Sequence, residues 1–291
     1  MAEVLKPVTG REFWPVDKVI LTYFTATGLM DLACWKGMQD APVWLTWHVV
    51  GIALLLYEIK RPNFTSWIFR NWYPLPYVAS CYREVQSLIP PIRNATCDRW
   101  LDGLDVRIWH AHPSLWLEHI YSPWLTEYLQ VVYTLFIPAV LWVAFLLWRR
   151  RDYRNFQYYA FLIALGFLTS YVGYILVPAR GPRFLLKHLE HIPLQGTFLF
   201  QQMQSALDRL ERVAYDCFPS GHTELTILAW WSSQRVSKRL FKVYFAYTPG
   251  LIFATVYLRY HYTVDVMAGA VLALILIAAS PWLYDQLRDR V

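Results

Sequence analysis

Two short motifs carry the residue types that phosphoryl transfer needs: Pro219-Ser220-Gly221-His222-Thr223 and His261-Tyr262-Thr263-Val264-Asp265. Each stands where a charge-free hydrophobic run begins. Spaced by four, His261 and Asp265 share one face of a helix. A carboxylate so placed accepts a proton from one imidazole nitrogen, fixes the tautomer and leaves the other nitrogen as a nucleophile. An isolated H-x-x-x-D is more often a satisfied helix-end pair, so His222 has to add weight of its own. It follows Ser220 and Gly221 at a helix start, where unpaired N–H groups and the positive dipole end suit a phosphate and glycine lets it approach closely. A histidine beside that cradle can protonate a leaving oxygen.

A third element precedes both motifs. In Pro178-Ala179-Arg180-Gly181-Pro182-Arg183 a long apolar run ends in two arginines held by two prolines. Guanidinium groups bind phosphate oxygens bidentately, and Arg183 is the preferred ligand, with Arg180 beside it. Either arginine would equally anchor a helix end at lipid headgroups. The set calls for no metal ion and no cofactor. Cys34, Cys81, Cys97 and Cys217 form no C-x-x-C pair, so a zinc or redox site is not expected. Cys97 and Cys217 fall on the same predicted outer side and are candidates for a disulfide.

The elements that position these residues are membrane helices. The 291 residues are 56% hydrophobic and 16% charged, against roughly 45–50% and 25% in an average soluble domain. Runs without charge cover Tyr128 to Trp148, Asn155 to Ala179, Val243 to Leu258 and Val266 to Tyr284. Most approach the roughly 20 residues a crossing helix needs. Lys18 to Trp35 and Ala41 to Tyr57 form an N-terminal hairpin. Basic residues cluster beside the runs at Lys60 and Arg61, Arg149 to Arg154, Arg235 to Lys242, and Arg288 with Arg290. That is the pattern of cytoplasmic loops and excludes a nucleic-acid groove. The stretch before Trp14, with Glu3, Lys6 and Arg11, has no apolar core and predicts no cleavable signal peptide.

Parity then demands a crossing between Arg61 and Trp124, best supplied by Trp72 to Pro90 with Arg83 and Glu84 as an interior polar pair. The expectation is an all-α polytopic bundle of about eight spans in a single membrane domain, 1–291, with both termini cytoplasmic and the motifs at the extracytoplasmic face. Residues 18–57 form its hairpin and 72–284 its catalytic core. Asp98 to Trp124, amphipathic around Trp100, Leu104, Ile108 and Trp109, reads as a helix lying on the outer surface.

The order of an arginine-proline element, then PSGH, then H-x-x-x-D resembles the type-2 phosphatidic acid phosphatase superfamily over roughly Trp72 to Tyr284, a six-helix core. The resemblance implies a metal-free phosphohistidine mechanism. His261 would attack phosphorus, Asp265 would orient it, and His222 would protonate the departing alkoxide. Arg183, Arg180 and the Ser220 and Gly221 amides would hold the phosphate. The chain departs from the family pattern at two places. Counting back seven from Arg183 or Arg180 to the family's lysine reaches Leu176 or Gly173, and Ala254 and Thr255 stand where its third motif has Ser-Arg. Arg259 is the candidate substitute for the lost charge. His-Tyr-Thr-Val-Asp and the Thr223 after His222 are similar to the sphingomyelin synthase and inositol phosphorylceramide synthase branch. The implied partners are the lipid bilayer and a phospholipid or polyprenyl-phosphate substrate. Hydrolysis leads, headgroup phosphotransfer is its alternative, and a non-catalytic lipid-binding protein is the third reading.

Overall fold

The computed structural model describes residues 12–61, 63–211 and 215–288, and every regular element among them is helical. Residues 1–11 and 289–291, with Glu3, Lys6, Arg11 and Arg290, lie outside the described residues. The helices are α1 (Pro15–Cys34), α2 (Ala41–Ile59), α3 (Phe64–Trp72), α4 (Pro74–Ile92), α5 (Asp98–Trp109), α6 (Pro123–Thr134), α7 (Phe136–Arg149), α8 (Tyr153–Leu176), α9 (Phe200–Glu211), α10 (Gly221–Ser233), α11 (Lys238–Tyr257) and α12 (Thr263–Leu287). Their starts follow local chemistry. Proline opens α1, α4 and α6, where its fixed φ and missing N–H cost nothing. Asn63, Asp152, Ser220 and Ser237 cap α3, α8, α10 and α11 with side-chain oxygens.

Three helices, α2, α8 and α12, are long and apolar enough to cross a membrane, and α6 with α7 makes a fourth candidate bent by 43° at Leu135. Pro138 explains the bend, because it has no N–H to give the Thr134 carbonyl and its ring crowds that group. The fold is therefore an all-α membrane bundle. Two apolar clusters hold it. One joins α1, α2, α4 and α8 around Phe24, Leu55, Val85 and Phe161. The other joins α7, α8, α10, α11 and α12 around Val143, Leu162, Leu228, Leu251 and Ala273.

The hairpin α1–α2 docks on α4 through a buried polar cluster. His48 Nε2 lies 2.9 Å from Glu84 Oε1 and 3.4 Å from Asp31 Oδ2. Arg83 and Glu84 thus do not form the interior pair the sequence suggested. Successive helical residues point about 100° apart, so Glu84 turns to the hairpin while Arg83 faces a cavity on the other side.

Direction along the bundle orders its two ends. α8 begins beside Arg151, Arg154, Arg235 and Arg288, which line one recess. It ends beside the arginine-proline element, where the histidine motifs also lie.

Candidate active site

Helix α11 stops where the site begins. Arg259 takes the left-handed conformation, φ 64°, just past the helix end, and the Tyr260 and His261 amides donate back to the Thr255 carbonyl at 3.0 and 3.1 Å. This turn delivers a fully buried His261. Its Nδ1 lies 3.1 Å from the Cys217 carbonyl and 3.3 Å from Asp265 Oδ1. The carbonyl is the better aligned hydrogen-bond acceptor, since Asp265 Oδ1 completes no hydrogen bond of acceptable angle; the carboxylate acts there mainly as charge. With Nδ1–H donated to Cys217, Nε2 is the free lone pair, an assignment made from the network.

That lone pair faces His222 Nδ1 at 3.2 Å. His222 is clamped between Tyr133, whose ring stacks at 4.6 Å, and Phe136 at 4.5 Å. Tyr133 also stacks on Tyr260, 4.4 Å away and nearly parallel. Burial works against an imidazolium at His261. The nearby Asp265 carboxylate, the Asp216 charge and the Cys217 carbonyl outweigh it, so its pKa is held above the usual histidine value.

The PSGH turn is locked to α12. The Ser220 amide donates to the Asp265 carbonyl at 3.1 Å, and a Cβ at Gly269 would overlap the Ser220 carbonyl oxygen. Thr223 and Glu224 amides donate back to Ser220. The first-turn N–H groups left for a phosphate are therefore those of Gly221 and His222, while Ser220 supplies the cap. Cys217 is not in a disulfide, and all four cysteines are free. The expected Cys97–Cys217 pairing is corrected: the Cys217 thiol is turned inward and donates to Asp265 Oδ2 at 2.7 Å. Burial first, then the Asp265 carboxylate, pushes that thiol well up and keeps it protonated. Its sulfur, His261 and Asp265 place three ligand-type atoms within 4.8 Å of one another.

The arginine-proline element reaches the same place by backbone contacts. Gly181, at φ 94°, lies where any Cβ would overlap the Tyr260 carbonyl, and the Arg183 amide donates to the Arg259 carbonyl at 2.9 Å. The Arg183 guanidinium sits over Tyr260 at 4.7 Å and touches the half-exposed Asp208 at 2.9 Å. Arg180 lies over Phe184, with its buried Nε unpartnered. Arg259 points elsewhere. Its guanidinium is bound by Glu118 at 2.7 Å, Glu190 at 2.8 Å and the Ile192 carbonyl at 2.8 Å.

Helix α5 supplies residues that motif reading missed. Asp98 and Asp105 are buried beside Leu101, whereas Trp100, Ile108 and Trp109 face outward. The apolar residues expected to seat this helix are thus its outer face, and its carboxylates grip the site. Asp98 accepts from the Arg180 and Gly181 amides and from the Tyr262 hydroxyl. Asp105 accepts from the Thr263 amide and hydroxyl and from the Val264 amide. Their spacing of seven, one face over two turns, was the signal available in the sequence.

Beside His222 opens a cavity of about 380 Å³. Its lining includes the polar Tyr82, Arg83, Asp216 and His222 and the apolar Leu75, Ile137 and Phe167.

With this geometry in view, the model for the PAP2 superfamily matches residues 96–279, about 63% of the chain. The protein belongs to that superfamily, that of the type-2 phosphatidic acid phosphatases, and is a lipid-phosphate enzyme of phosphatase or phosphotransferase type. No curated protein and no solved structure matches the chain. Helices α1 to α4 precede the matched segment.

Proposed function

We propose that the protein is a membrane lipid phosphate phosphatase working through a phosphohistidine. His261 Nε2 attacks phosphorus in line, forming an N–P bond as the P–O bond to the lipid breaks. His222 gives its Nδ1 proton to the departing alkoxide, then takes one from the water that releases phosphate. Asp265 and the Cys217 carbonyl keep His261 in the attacking tautomer. Arg183, Arg180 and the Gly221 and His222 amides hold the equatorial oxygens, while the Ser220 amide stays on the Asp265 carbonyl; such preorganised donors are worth about 3–4 kcal/mol each in the transition state. Arg259 stays outside this set because both its terminal nitrogens are committed to carboxylates.

The observation that carries the reading is the 3.2 Å approach of His222 Nδ1 to His261 Nε2, with the Cys217 carbonyl as acceptor behind the His261 ring. The cavity supports a lipid substrate. Along α4 its wall runs from Leu75 to Arg83 over about 12 Å of helix, grading from apolar to polar, as an amphiphile does. Basic residues at the far end of α8 favour an extracytoplasmic site, with about eight spans and cytoplasmic termini.

The test is a detergent-solubilised assay with a phosphatidate or polyprenyl-phosphate donor, with and without a lipid alcohol. Free phosphate in both cases is the expected result. A new phospholipid formed only with the alcohol would establish headgroup transfer, the reading that the His-Tyr-Thr-Val-Asp sequence favours. Wild-type turnover by His261→Ala would remove the nucleophile assignment, and absence of turnover of any donor by the wild-type protein would leave a lipid-binding protein.

A further inference from the structure

Counting the cations around the reaction centre exposes a deficit. The family's first-motif lysine has no equivalent, and the structure shows why at one of its two possible positions: a side chain at Gly173 would run into the Pro219 ring. The other, Leu176, lies at the last residue of α8 and is 64% exposed. Ala254 and Thr255, in place of the third-motif pair, are buried and carry no charge. Arg259 is neutralised by two glutamates, Arg183 shares its charge with Asp208, and Arg180 is left as the one arginine of the set with no carboxylate salt bridge among the described residues. A phosphate bearing one to two negative charges needs more compensation than that single arginine supplies.

Arg83 is placed to provide it. It stands on α4 and lines the cavity that also holds His222, Gly221 and Asp216. No ion pair or hydrogen bond engages its side chain among the described residues, and its sequence neighbour Glu84 faces the hairpin and pairs with His48. Arg83 is exposed on α4 and not packed inside the bundle, and a guanidinium held at membrane depth is costly unless it meets an anion. Asp216 on the same wall accepts from the Tyr82 hydroxyl at 2.9 Å, and its other oxygen is an acceptor for a hydroxyl of the bound lipid.

We propose that Arg83 is a phosphate-binding residue for the lipid substrate, supplying from α4 the positive charge that the sequence omits from its first and third motifs. The ligand is an amphiphile with a phosphate at the cavity's polar end and its chain along Leu75, Val78 and Ile137. This inference rests on the active-site reading above, and its test is built to fail separately. A guanidinium held to phosphate by charge-assisted bonds is worth about 10- to 100-fold in affinity.

Binding of short-chain phosphatidate is measured in detergent in a His261→Ala background, which removes turnover, and compared with the same background carrying Arg83→Ala or Arg83→Lys. Diacylglycerol serves as the uncharged control. The expected result is a 10- to 100-fold loss for phosphatidate with Arg83→Ala, partial recovery with Arg83→Lys, and unchanged diacylglycerol binding. Equal phosphatidate affinity with and without Arg83, as for an arginine reaching only to bulk headgroups, overturns the proposal. So does an equal loss for both lipids, which would mark a role in cavity shape. Neither outcome touches the nucleophile, which is judged by whether His261→Ala alone still releases phosphate.

Discussion

Removing the Asp105 carboxylate tests whether a surface helix positions the nucleophile. Its two oxygens accept three bonds of 2.7–2.9 Å, from the Thr263 amide, the Thr263 hydroxyl and the Val264 amide. Two of these donors are first-turn N–H groups of α12, which have no partner within their own helix. They lie two and three residues beyond His261. Asp105→Ala leaves all three unpaired, and at about 1 kcal/mol per net hydrogen bond the gross loss is about 3 kcal/mol. Burial opposes that figure. Desolvation, more than offsetting the three donors, raises the Asp105 pKa, so the ionised form is held at a cost, and stability from this group falls as pH rises through its raised pKa. The net expectation at neutral pH is about 2 kcal/mol for Asp105→Ala. Asp105→Asn sheds the charge but turns an NH2 against one donor, and should cost less. The kinetic consequence is larger, because a shift of about 1 Å in a reacting group lowers the rate about 100-fold. Thermal unfolding in detergent, kcat and KM for phosphatidate, and amide exchange over residues 258–266 are the measurements. The expectation is a fall in kcat with KM little changed and faster exchange in that segment. Wild-type kcat with unaltered exchange would show that α5 merely lies against the site.

Three further outcomes follow from the same contacts. Because His261 must be neutral to attack and its pKa is raised, kcat/KM should fall with decreasing pH through a value above the ordinary 6.5; Asp265→Asn should move that limb down, and an unmoved limb would assign it to another group. Gly269→Ala drives a methyl into the Ser220 carbonyl, an overpacking worth about 1–3 kcal/mol, and should lower both the melting temperature and kcat; a variant as stable and active as wild type would deny the α10–α12 lock. His48→Leu leaves Asp31 and Glu84 buried with no cation between them, and should cost about 3–5 kcal/mol in thermal unfolding; an unchanged melting temperature would mean that the cluster does not hold the hairpin.

The residues proposed to react were legible in the chain, and the residues that hold them in place were not, for a physical reason. His222, His261 and Asp265 announce themselves because each must sit at a helix mouth, and helix mouths carry local signals: Pro219, the Ser220 cap, the end of an apolar run. Their support comes through backbone carbonyls and carboxylates distant in sequence. Cys217 acts through its carbonyl, which any residue would offer, and its inward thiol defeats the disulfide that side-of-membrane reasoning allowed. Asp98 and Asp105 looked like the solvated face of an amphipathic helix, since hydrophobicity alone ranks tryptophan as the buried side. Near an outer face with aromatics turned outward, that ranking inverts.

The pairing of Arg83 with Glu84 failed on helix geometry, and Arg259 failed to stand free because its side chain leaves the turn in the direction of Glu118 and Glu190. Both cases share one lesson about charge in an apolar bundle. Proximity along the chain decides little, and each ion settles with whichever opposite charge its helix face meets. Arg83 meets none among the described residues. In a bundle where Glu84, Arg259 and Asp265 all have partners within 3.3 Å, a guanidinium that lines the His222 cavity with no partner among the described residues is the feature that most demands a ligand.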